Sequence, residues 1–176
     1  MSNFALQFYD YNIWANNQIF NRLKELPKDV YHQEVQSVFS SISSVMAHVY
    51  LSDLGWAEVF SGKSMNHALE LAEQRKEQME SKELEEMEAM FFELSERYKS
   101  LLGQKENLHE PLMIENPAGG QMKTSAAELV PHVVNHGAYH RGNITAMLRQ
   151  MGYASTSTDY GLYLFLKGSN GPSFAY

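Results

Sequence analysis

The chain has 176 residues, enough for one domain that buries roughly 70% of the surface its unfolded form exposes. Its composition, 44% apolar and 20% charged, is that of a globular protein, and the absence of cysteine excludes disulfides, cysteine-ligated zinc, iron–sulfur clusters and a cysteine nucleophile. A net charge of −7 opposes nucleic-acid binding, and neither a membrane-spanning apolar run nor a signal-peptide pattern is visible, so the expectation is a cytoplasmic protein.

Four segments carry helical periodicity. The first, about 3–26, places Phe4, Phe8, Tyr11, Ala15, Ile19, Leu23 and Leu26 on one stripe and stops at Pro27. The second, about 37–60, spaces Val38, Ile42, Val45, Val49, Trp56 and Val59 by threes and fours, with Gly62 as a stop signal. The third, about 81–102, alternates Leu84, Met87, Phe91, Leu94, Tyr98 and Leu101 and closes at Gly103. The fourth, about 124–151, opens on Ser125-Ala-Ala-Glu128, a capping-box pattern, and ends at Gly152. Pro131 inside it predicts a kink or a broken first turn.

Two long connections remain. Residues 61–80 have room for a short helix, and 104–123, with Pro111, Pro117 and Gly119-Gly120, reads as irregular. The aromatic tail from Tyr153 to Tyr176 is expected to pack on this chain or a neighbour. No segment reads as a strand, so the expected fold class is all-α, a four-helix bundle in a single domain spanning 1–176. Between Glu70 and Arg97 ten acids face four bases, so the net charge is concentrated there, and it reads as a solvated helix face.

The fourth segment carries His132, His136 and His140, whose ends are separated by about 12 Å along the axis, too far to share one ion. At about 100° per residue, His140 falls among Leu129, Val133, Met147 and Ile144, with His136 inside the same stripe and His132 on its margin. The bundle-facing pair is therefore His136 and His140. Such a pair is either hydrogen-bonded core or two metal ligands, and a tight site needs a third ligand from another helix. His32, His67 and His109 fall in connections. His48 lies mid-helix, with Ser41, Ser44, Ser52 and Gly55 one and two turns away on either side. Small residues there mean either close helix approach or a channel past His48. Taken with the pair, the channel makes a three-ligand pocket with one coordination position open, as in catalytic zinc sites.

His136-Gly-Ala-Tyr-His140-Arg141-Gly142-Asn143, followed by Met147-Leu-Arg-Gln-Met-Gly152, resembles the hallmark helix of the DinB/YfiT-like superfamily. Tyr11-Asn-Ile-Trp14-Ala15-Asn16 resembles its opening helix, His48 before Trp56 its second-helix histidine, and Ser157-Thr-Asp-Tyr160 its closing segment. The resemblance implies a four-helix bundle of unusual connectivity binding a divalent metal, zinc or nickel, through His48, His136 and His140. It further implies a homodimer that does not bind DNA, despite a name taken from damage-inducible expression. Asn143 departs from the family, where glutamine is more usual.

Characterised members of the superfamily include enzymes that use a low-molecular-weight thiol, so the resemblance points to a thiol-dependent S-transferase, or a hydrolase, acting on a small-molecule substrate. The alternative is a non-catalytic metal-binding or dimeric stress-response protein. A His-Glu-x-x-His protease is excluded, because Val133 and Gly137 stand where the glutamate would be. Tyr139, Asn135 and Asn143 are polar neighbours without an assigned role. Arg141 points away from the histidine stripe and is expected in a structural or interface ion pair. Trp14 and Trp56 read as core packing rather than pocket walls.

Overall fold

A computed structural model of the chain describes residues 4–105 and 107–168. The elements run α1 (Phe4–Lys24), a 3-10 turn (Lys28–Tyr31), α2 (Ile42–Phe60), α3 (Met65–Glu80), α4 (Leu84–Gly103), β1 (Pro111–Glu115), β2 (Gln121–Ser125), α5 (Ala126–Gln150) and α6 (Tyr160–Gly168). The fold is all-α apart from one small antiparallel hairpin. No helix among the described residues is long and apolar enough to cross a membrane.

The four long periodic helices form the bundle. α1 packs on α4 and α5, and α2 packs on the same two, so the helices close a ring in the order α1, α4, α2, α5. Consecutive α1 and α2 are thus not ring neighbours, which is why the link between them spans seventeen residues, 25–41. Most of the core comes from the predicted stripes, including Ile19, Val45, Met87, Tyr98, Ile144 and Met147, each at most 1% exposed; Phe20, off the predicted stripe, joins them, whereas Phe4 at the start of that stripe is 60% exposed. Asn3, at the predicted start of the first helix, and the tail beyond Gly168 lie outside the described residues.

Five expectations need correction. Residues 37–41 are not helical: Ser41 is the N-cap of α2, its hydroxyl accepting the Ser44 N–H at 3.1 Å, and Val38 is 79% exposed. Residues 65–80 form a full helix, α3, laid along the outside of α2, where Gly55 lets Ala68 approach: a Cβ at Gly55 would sit 3.4 Å from the Ala68 Cβ. Residues 111–125 form a hairpin, with Ile114 buried and Leu112 half-buried on one face and Gly119 and Gly120 turning at φ of 104° and 89°. Finally, α5 continues through Pro131 without a break, and its first turn is tied down by the Ala127 N–H donating to the Leu108 carbonyl at 2.9 Å. The Ser125 side chain caps nothing. Instead the Thr124 and Ser125 hydroxyls donate to the Glu128 carboxylate at 3.0 and 3.4 Å.

The aromatic tail packs on its own chain. Tyr160 and Tyr163 of α6 meet Phe8, Tyr11 and Trp14 of α1, and the Tyr11 hydroxyl donates to the Thr158 carbonyl at 2.8 Å.

A polar clasp crosses the bundle between α1 and α5. Arg141, only 3% exposed, donates from Nη1 to the Asn12 and Asn16 side-chain oxygens, both at 2.8 Å, and stands over the Tyr11 ring. Among the described residues it makes no ion pair within the chain, so amides stand where the structural half of the expectation placed a carboxylate. Gly137, one turn earlier, makes room for it: a Cβ there would lie 2.8 Å from Asn12 Oδ1 and 2.9 Å from Arg141 Nη1. Asp53 of α2, 2% exposed, has one carboxylate oxygen without a partner; burial pushes its pKa up to about 8, against the pull of the Arg141 charge.

Two outcomes follow for stability. Gly137→Ala forces the clasp apart and costs about 1–3 kcal/mol in urea unfolding; an unchanged midpoint would mean that Arg141 and Asn12 yield freely. For Asp53 the folded pKa lies above the unfolded one, so its proton-linked stability is complete at acid pH and is lost as pH rises through about 8. Asp53→Asn, which cannot ionise, therefore gains on the parent chain as pH rises from 5 to 9. A gap that stays constant over that range would show that Asp53 is already ionised in the fold.

Candidate metal centre

α2 and α5 bring His48, His136 and His140 together at one edge of the bundle, with their candidate donor atoms all within 4.8 Å of one another. His136 Nε2 lies 3.2 Å from His48 Nε2 and 3.1 Å from His140 Nε2. The expected pair on α5 and the expected third histidine on α2 thus meet. His132 does not join them; it is exposed, its ring against Trp56 and 6.4 Å from the His136 ring. His32 and His67 lie near surface glutamates, Glu83 at 3.9 Å and Glu58 at 3.8 Å.

The rotation of α5 that aims the pair is set by the clasp. Arg141 and Gly137, the residues following His140 and His136, face α1, so the two histidines turn towards α2. His140 is 5% exposed, His136 half-buried and His48 exposed. Burial, then repulsion between neighbouring rings, pushes His136 and His140 down to about 4; His48 is lowered by burial and by the charge of Lys76. At neutral pH all three rings are uncharged and each has a lone pair to give.

Hydrogen bonding alone satisfies this cluster poorly. A single ring nitrogen, His136 Nε2, meets two others, yet it has only one proton or one lone pair to share between them. Two imidazoles on a tetrahedral ion at about 2.05 Å would place their nitrogens about 3.3 Å apart, close to the spacing found. The donor set therefore fits a divalent ion. Asn143 lies with its side-chain amide 3.2 Å from His140 Nδ1. As placed, the amide nitrogen donates to Nδ1; only a 180° turn of the amide, with its oxygen accepting the Nδ1 proton, would free Nε2 for an ion. Tyr139, 65% exposed, sets its ring edge-on to His140, and Asn135 points to solvent.

Sequence reasoning missed Phe39. The chain ahead of α2 curls through a bent loop, closed by the Val35 N–H donating to the Ser40 carbonyl at 2.9 Å, and the Phe39 ring lies over the cluster, with centroids 5.2 Å from His48 and 5.4 Å from His140. Only the serine cap at Ser41 could have signalled this. Beside Phe39 a cavity of about 600 Å³ opens between α2 and α3, with His48 in its wall. Of the small residues around His48, Ser44 and Ser52 line this cavity, Ser41 caps the helix, and Gly55 serves the α2–α3 approach. Both earlier readings of that stripe therefore hold, each at its own end. Trp14 and Trp56 do not border the cavity.

The model of the DinB family matches residues 1–171. Protein DinB of Bacillus subtilis (strain 168) is 70% identical over 166 residues, covering 94% of this chain and 96% of that protein. With a family match over residues 1–171 and 70% identity to Protein DinB of Bacillus subtilis along nearly its whole length, the chain belongs to the DinB family.

Proposed function

We propose that the chain holds one divalent ion, zinc or nickel, on His48, His136 and His140, and uses it as a thiol-dependent S-transferase on a small molecule. The observation that carries this is the doubly engaged His136 Nε2, which an ion satisfies and a proton does not. Three protein ligands leave a fourth position for an exogenous group. A bound ion would supply Lewis-acid activation to whatever occupies that position.

The chain's own contributions are the following. His140 is held by Asn143, His136 by the rotation of α5, and His48 by the capped start of α2. All three are neutral, so the ion keeps its full charge for an anionic partner. Phe39 covers one side and restricts water. Among the described residues no carboxylate joins the cluster, which favours an external thiol over hydrolysis by a general base. The chain has no cysteine, so that thiol comes from outside it.

Protein purified without a histidine tag should contain about one divalent ion per chain by elemental analysis. His48→Ala should weaken zinc binding by at least about tenfold, while His132→Ala leaves it nearly unchanged. Equal losses would mean the wrong ligand set, and a metal content under about 0.2 per chain, the same in a His136→Ala/His140→Ala variant, would end the metal reading. For the reaction, the metal-loaded protein should accelerate consumption of 1-chloro-2,4-dinitrobenzene by small thiols, and His136→Ala should abolish the acceleration. Background rates with every thiol, together with faster ester hydrolysis, would favour the hydrolase instead.

A further inference from the structure

The cavity between α2 and α3 has a graded lining. Its end at the histidine cluster is formed by His48 and Phe39, its walls by the apolar Leu51, Leu69 and Ala72, with the hydroxyls of Ser44 and Ser52 on the α2 side. Along α3, Glu73, Lys76 and Glu80 complete it at helical spacings of three and four. Two negative charges there face one positive. Among the described residues Lys76 makes no ion pair within 4 Å, so neither glutamate is locally neutralised by it. The volume, about 600 Å³, is in the range of small-molecule sites.

We propose that this cavity is the substrate channel, taking an elongated small molecule with an anionic, metal-seeking head at His48, an apolar body along Leu51, Leu69 and Ala72, and a positively charged tail at Glu73 and Glu80. The inference rests on the metal reading of the preceding subsection and adds to it the path and chemistry of the ligand. His48 is the one member of the cluster that borders the cavity, so a head group enters from that side. The Phe39 ring lines the same end of the cavity, its centroid 5.2 Å from His48 and 5.4 Å from His140, and flanks the path of the head group. The tail assignment follows from charge complementarity: a net negative end selects against a carboxylate and for an ammonium.

Hydroxamic acids, whose heads bind zinc, test both halves in the zinc-loaded full chain by calorimetric titration. Heptanohydroxamic acid should bind at least about tenfold tighter than acetohydroxamic acid, since its methylenes leave water along the apolar wall. At low salt, 6-aminohexanohydroxamic acid should bind about threefold tighter than the monohydroxamate of adipic acid, with the difference shrinking as salt is added. Ala72→Trp should remove the chain-length gain, and Glu73→Gln/Glu80→Gln should remove the preference for the amine; both should keep the zinc affinity of the parent. Equal binding of long and short chains overturns the channel, and tighter binding of the carboxylate tail overturns its charge assignment, in either case with zinc still bound. Failure of the parent chain to bind zinc at all defeats the metal reading, and this inference falls with it.

Discussion

A guanidinium that leaves water must recover its hydrogen bonds inside the protein or destabilise the fold. Arg141 meets that requirement with two amide oxygens from successive turns of α1, and the fit is possible because the residue one turn before it is glycine. Amides rather than a carboxylate receive the charge, so the contact is directional and α5 can adopt only one rotation against α1. Much else depends on that rotation. It turns His136 and His140 to the opposite side of the helix, where α2 offers His48, and it leaves the apolar residues Val133, Ile144 and Met147 in the core. The Arg-Gly pair within the motif is thus part of the site's construction although it touches none of the three imidazoles.

The stripes of α1, α2, α4 and α5 were legible because each buries one face in a common core, and burial on one face leaves a period in the sequence. The histidine pair was legible for the same reason: the helical wheel separates His136 and His140 from His132, and the fold separates them likewise. α3 was obscure because it contributes only Ala68 and Met79 to the buried set, too few to write a stripe. In the hairpin, alternation at Leu112 and Ile114 is present but spans just five residues beside a proline, and turn-forming residues dominated the reading. The bent loop before α2 was masked by Val38, whose spacing fits the α2 stripe although its side chain lies in solvent.

Charge needs a similar revision. The acidic excess of residues 70–97 falls on α3 and α4, and most of it is solvated or paired along the surface, as with Lys82 and Glu86 at 2.7 Å. Composition treats all these glutamates alike. The fold does not: docking α3 on α2 turns Glu73 and Glu80 towards a cavity that begins at His48. Which acids face the cavity is set by the packing of α3 along α2, where Gly55 meets Ala68, and no local pattern in the sequence reports it.

The three imidazoles differ in how closely the protein holds them. His140 is buried and bonded to Asn143, His136 is half-buried, and His48 faces solvent. Such a gradient gives the site a hinge side and a door side. An ion held here would have His48 on its solvent side and His140 on its inner side, so a chelator from solution would meet His48 before either of the others. Loading and removal of such an ion would leave the bundle packed, because the core around Ile144 and Met147 is closed independently of the three rings.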